Sequence, residues 1–403
     1  MKSKKYFYIL ILIVAAFFMM NELNMMRWTL PFFMTLAVIV VLSVQRKIDQ
    51  RKDEVYYHNL DIMKYVFSML IIILHLRPFF QSHQLLDIAF NNVITRICVP
   101  MYFMITGYFV CIKEKEDDGY IKKYIRKMIP LYILWSLFYL PFLYQYGQGL
   151  FQQLLSAVNI EGLPVLKVLF IPGLMLIGLF YGGVYYHLWY FPAVMMALWI
   201  VAQWKKRFSV RSLLFIALFL LIVGASETYY GVLPSSVRQW STYYFRVFFT
   251  TRNFLFFGLF YVTLGYAMAK RKVLSQRYCF IKMAGSVMLL VVETALLYHS
   301  ERLDSNILLS CIPLSYYLFV SLIYLKNERV SSFPFALLSK YYYLLHPMII
   351  VFVQTFFTGI ETMPLGNLLC VVALTHVASC LAIKLQYIYQ QSKIKVSFEN
   401  LLN

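Results

Sequence analysis

His75 stands eleven residues after Lys64, so on a helix the two share a face about 16 Å apart along the axis, with Asp61 beside Lys64 on that face. The imidazole reads either as a hydrogen-bonded packing group or as a general base. Lys64 with Asp61 reads either as an interfacial salt bridge or as part of the same site. Arg96-Ile-Cys-Val-Pro100 leads into Thr106-Gly107-Tyr108. That small-residue step permits close helix approach or frees backbone groups to line a site. His187-Leu-Trp189-Tyr190-Phe191-Pro192 sets an imidazole, two rings with polar edges and a helix-starting proline at the mouth of an apolar segment. Arg252, at the head of a later apolar run, offers a guanidinium beside free backbone N–H groups, a place for a carboxylate. Glu293 lies within an apolar run, where an unpaired carboxylate is costly, so a cationic partner or a proton is expected. Asp304 follows in a polar loop, and Tyr343-Leu-Leu-His346-Pro347 brings another histidine to the depth of His75.

These residues need a scaffold, and the composition says which kind. Of the 403 residues 61% are hydrophobic, 18% aromatic and only 14% charged. Soluble domains carry about 25% charged residues, and here the apolar residues come in runs long enough to cross a bilayer. The chain therefore reads as an all-α polytopic integral membrane bundle of about 12 transmembrane helices. The spans fall near 6–20, 28–44, 60–78, 93–112, 128–146, 187–203, 212–230, 254–269, 280–298, 306–325, 333–356 and 365–386. The N-terminal run behind Lys2, Lys4 and Lys5 lacks a small-residue cleavage site and reads as an uncleaved first span. Residues 165–182 carry Pro172-Gly173 and Gly182-Gly183, which favour a re-entrant pair of short helices over a span.

The net charge of +19 sits in short loops between the spans. With a cytoplasmic N-terminus, one side collects runs such as Lys113, Lys115, Lys122, Lys123, Arg126 and Lys127, while the other keeps scattered arginines. This asymmetry accounts for the charge through anionic lipid and leaves no case for nucleic acid. Both termini are then expected inside. The six cysteines show no paired spacing and read as packing residues. No glycine-rich phosphate loop, nucleophile elbow or metal-spaced histidine pair is present, so no metal is expected.

Asp61…Lys64…His75, Arg96-x-x-Val99-Pro100, Thr106-Gly107-Tyr108, His187-Leu-Trp189-Tyr190 and Tyr343-Leu-Leu-His346-Pro347 together resemble the membrane acyltransferase-3 family. The resemblance implies a ten-helix core over 59–390, with a 1–58 hairpin and basic linker before it and a cytoplasmic tail, 391–403, after it. It also implies a bacterial cell membrane, and His75 with Lys64 as the catalytic pair. Acyl groups would move from acetyl-CoA to extracytoplasmic sugars. Lys64 stands where the family usually has arginine, and an ammonium does not match a bidentate fork.

Tyr186-His-Leu-Trp-Tyr-Phe-Pro-Ala193, Tyr229-Tyr-Gly231, Thr251-Arg-Asn253 and Glu293…Arg302-x-Asp304-Ser305 look like the membrane domain of VanT-type serine racemases of vancomycin resistance. That resemblance implies a membrane subunit of a split enzyme, holding no cofactor of its own and serving a separate cytoplasmic pyridoxal-phosphate racemase. Its ligand would be L-serine, destined for D-Ala-D-Ser peptidoglycan precursors. A zwitterion needs a cation for its carboxylate and an anion for its ammonium. Arg96 or Arg252 and Glu293 or Asp304 are the expected pair, with His187, Trp189 and His346 lining the same site. An acyltransferase acting on a cell-wall or surface glycan is the other expectation.

Overall fold

The computed structural model describes residues 57–136, 139, 181–183, 185–248, 250–270, 276–298, 300, 305–325, 333–357 and 359–402. The first two expected spans, most of the expected re-entrant segment, the later part of the fifth span, and Asp304 lie outside the described residues. The described residues form helices and turns with no strand. In chain order the helices are α1 (His58–Leu76), α2 (Cys98–Glu116), α3 (Tyr190–Trp204), α4 (Val210–Gly224), α5 (Ser235–Phe248), α6 (Leu259–Met268), α7 (Gln276–Leu297), α8 (Cys311–Tyr324), α9 (Phe335–Phe356) and α10 (Pro364–Leu402). Residues 120–136 are also helical.

Six described helical stretches are long and apolar enough to cross a membrane: His58–Leu76, Gln84–Glu116, Val210–Glu227, Tyr278–Leu297, Phe335–Phe356 and Pro364–Lys384. The first, at 19 residues, rises about 28 Å, close to the hydrocarbon thickness of roughly 30 Å. Three shorter apolar helices accompany them. Phe215 and Phe219 on α4, and Met288, Val292 and Leu296 on α7, point outward. In water such faces would be an aggregation hazard; in lipid they are the solvent-facing surface. The chain is a multi-pass membrane protein.

It divides into two compact units, residues 1–87 with 325–403 and residues 88–324. In the first, α9 packs against both α1 and α10, burying Ile72, Tyr342, Val353 and Val371 completely. α1 stops at Arg77 because Pro78 disfavours continued helix before it. Arg77 turns left-handed there, at φ 44°, a conformation that costs about 1 kcal/mol. Asp87 holds it, accepting from Nη2 at 2.5 Å and from Nε at 3.4 Å.

The second unit is organised on the crossing of α2 and α6. Gly107 of α2 faces the Val262 carbonyl of α6, and Gly265 of α6 faces the Met104 carbonyl of α2. The two backbones meet where neither helix carries a side chain, the small-residue packing used between membrane helices. One end of this crossing is tied by charge. Glu114 accepts from the Tyr266 hydroxyl at 2.6 Å and pairs with Lys205 at 2.7 Å, while Lys115 donates to the Ala269 carbonyl at 2.8 Å.

Two elements depart from the sequence reading. Residues 235–248, expected to be loop, form α5. Its apolar positions are diluted by serine, glutamine and arginine, so hydropathy passes over it. α10 continues as one helix to Leu402, past the expected end of the last span near 386. The glycine crossing yields a prediction. Gly107→Ala and Gly265→Ala each place a methyl on a backbone carbonyl that has nowhere to go. Each lowers unfolding stability in detergent by about 3 kcal/mol, whereas Gly285→Ala, with open space at its Cα, does not.

Candidate functional site

The candidate residues fall into two groups, one on each unit. On the first unit, Lys64 forms an ion pair with Asp61 one helical turn away, so the interfacial salt bridge is formed. Further along α1, the His75 ring stacks on that of His346, with centroids 5.4 Å apart and planes 18° from parallel. His346 is fully buried. Its Nδ1 lies 2.8 Å from the Tyr342 carbonyl. A carbonyl only accepts, so Nδ1 carries the proton, and a neutral His346 keeps its lone pair on Nε2. Pro347, next along the helix, has no N–H, so the Tyr343 carbonyl loses its usual helical donor.

Tyr342 has a second attachment that the sequence did not announce. Its hydroxyl lies 3.0 Å from His376 Nδ1, and the Tyr65 hydroxyl lies 3.1 Å from the same nitrogen. The two hydroxyls are 3.4 Å apart. One residue thus links a buried Tyr–Tyr–His cluster, through its ring, to the histidine stack, through its carbonyl.

On the second unit, the HLWYFP stretch is packed more tightly than an open mouth. Leu188, Trp189 and Phe191 are buried. His187 is 4% exposed and meets the rings of Tyr139, Tyr186 and Tyr185 at 4.7, 5.6 and 5.7 Å. Gly183, at φ +77°, makes the approach possible, because any side chain there would strike the backbone of Leu188 and Trp189. Tyr190 starts α3 and joins its hydroxyl to Thr106 at 2.9 Å, so Thr106-Gly107 serves both a side-chain bond and a helix crossing.

Arg252 lies with its guanidinium carbon 5.4 Å from the centre of the Trp189 ring, a cation–π placement. Its buried Nε has no hydrogen-bond partner among the described residues. Arg252 and Trp189 are thus neighbours in the fold. The backbone around Arg252 is held on both sides. Glu227 accepts from the Thr251 N–H at 2.9 Å and its hydroxyl at 2.6 Å, and from the Thr250 hydroxyl at 3.2 Å. Asn253 caps the π-helical turn Phe254–Gly258, accepting from Leu255 and Phe256 N–H at 2.9 and 3.1 Å. Asn253 also donates to Tyr181 at 2.5 Å.

Glu293 departs from expectation. Its oxygens accept from the Leu309 N–H at 2.7 Å, the Ser310 N–H at 2.9 Å and the Tyr229 hydroxyl. Its partners are donors at the head of α8, where free N–H groups and the helix dipole stabilise an anion. Among the described residues no cation pairs with it; the helix end supplies its donors. Arg96 is likewise engaged nearby, donating from Nε to the Asn91 carbonyl at 2.6 Å. Glu293 thus holds the head of α8.

A helical membrane bundle with a stacked histidine pair in one unit and an aromatic-backed arginine in the other defines a class, and comparison with known proteins gives the family. The acyltransferase-3 profile, an acyltransferase domain, matches residues 57–384, and the chain belongs to that family. It is 24% identical over 359 residues to an amino-acid racemase of Enterococcus faecalis, covering 85% of this chain and 48% of that protein. It is 26% identical over 301 residues to a serine/alanine racemase of Enterococcus gallinarum, covering 72% and 40% respectively. The chain thus spans about half the length of the curated relatives it matches. No solved structure matches it.

The two charged candidates separate experimentally. Glu293→Ala strands two N–H groups and a hydroxyl and lowers unfolding stability by about 3 kcal/mol. Arg252→Ala removes one aromatic contact and changes stability by less than about 1 kcal/mol. Chemical unfolding of both variants in one detergent makes the comparison.

Proposed function

We propose that this chain handles L-serine in the membrane for a pyridoxal-phosphate-dependent serine racemase, supplying the amino acid or anchoring the enzyme, in the service of D-Ala-D-Ser peptidoglycan precursors. The observation that carries this reading is the similarity to racemase-named proteins across 85% of the chain. That similarity falls on membrane helices, so racemisation itself belongs to the part of those proteins that the match leaves uncovered. Arg252 takes the serine carboxylate, with Trp189 excluding water from one side of the guanidinium. A charge-assisted bond of this kind is stronger where water is kept out.

A second reading, O-acyl transfer from acetyl-CoA to a glycan hydroxyl, is favoured by family membership and by the histidine stack. There His75 removes the acceptor hydroxyl proton as the oxygen attacks the thioester carbonyl and the thiolate leaves. His346, with Nδ1–H tied to the Tyr342 carbonyl, holds the His75 ring in place.

Reconstitution in liposomes divides the two. With labelled L-serine and, separately, labelled acetyl-CoA, we expect saturable serine binding or uptake that falls at least about tenfold in Arg252→Ala, the equivalent of 1.4 kcal/mol. We expect no acetyl transfer that depends on His75. Acetyl transfer abolished by His75→Ala, with no serine signal, establishes the second reading instead.

A further inference from the structure

α5 joins the end of α4 to the turn that opens α6, both apolar helices of the second unit. At 14 residues it extends about 21 Å, too short to cross a bilayer of roughly 30 Å. Part of it is bonded into the protein: Thr242 meets the Tyr230 hydroxyl at 2.9 Å, and Tyr244 donates to the Thr250 carbonyl at 3.2 Å and receives the Asn253 amide at 3.4 Å. Ser241 is buried. Val237, Trp240 and Tyr243, spaced three apart, are 41%, 78% and 54% exposed and form its outer edge. The lipid-facing surface of α4 runs up to this segment, since Ile222 and Val223 in its last turn are exposed.

We propose that α5 is an interfacial helix whose Val237–Trp240–Tyr243 edge is embedded at the boundary between headgroups and acyl chains. Three features select lipid as the occupant. Trp and Tyr, with apolar bodies and polar edges, are the residues enriched at that depth. An amphipathic helix too short to span the bilayer lies in the membrane plane. The exposed apolar surface of α4 is continuous in sequence with it. Tyr244 grips the carbonyl of Thr250 and the side chain of Asn253, the residues that bracket Thr251-Arg252. The depth of α5 in the bilayer therefore sets the position of the Arg252 loop.

The test uses the whole chain in phosphatidylcholine nanodiscs and compares it with Trp240→Phe, which keeps an apolar ring on the edge. The fluorescence lost on substitution belongs to Trp240. We expect that component to be blue-shifted, shielded from iodide, and quenched more strongly by lipids brominated near the headgroup than by lipids brominated near the chain end. Quenching by iodide alone places Trp240 in water and overturns the proposal. Stronger quenching from the chain end, or shielding from both iodide and bromolipid, overturns it too, the latter by showing a protein cover. The readout involves no amino acid or acyl donor, so its failure is distinct from failure of the function proposed above.

Discussion

Backbone N–H groups within reach of hydrocarbon have no water to turn to, and each one left bare costs several kcal/mol. The second unit is built around meeting that demand at its helix ends. Glu293 takes the two N–H groups ahead of α8, Glu227 takes the N–H of Thr251, and Asn253 takes those of Leu255 and Phe256. Each of these side chains looks, in isolation, like a site residue. Each is occupied in holding backbone: Glu293 at the head of α8, Glu227 and Asn253 on either side of Arg252.

The first unit solves a different problem, the fixing of an imidazole whose two nitrogens are chemically interchangeable until something distinguishes them. On α9 the Tyr342 carbonyl, 2.8 Å from Nδ1 of His346, makes that distinction. Tyr342, whose carbonyl takes the proton, is itself held by Tyr65 and His376. The stack of His75 on His346 is thus tied, through Tyr342, to His376 on α10.

Much of this was legible from residue types. Runs of apolar residues located α1, α4, α7 and α9 to within a few positions, because spanning lipid imposes a minimum length that composition reveals directly. The proximity of Lys64 to Asp61 follows from helical period alone. The true partners of Glu293 do not, since two are backbone atoms that carry no residue identity. His376 was passed over for a related reason: a lone histidine in an apolar run says nothing of Tyr65, 311 residues away. α5 escaped because it is too polar for a span, and its amphipathic edge emerges only when its bonded face is known.

The tie between Glu114 and Tyr266 joins residues 152 positions apart, at one end of the glycine crossing. α3, α4 and α5 are all made between the two partners. During synthesis, α2 therefore enters the bilayer long before the surface it was shaped for exists. Its bare Gly107 face must pack against lipid, or against a temporary neighbour, until α6 is inserted. Closing of this crossing is consequently a late, post-insertion event.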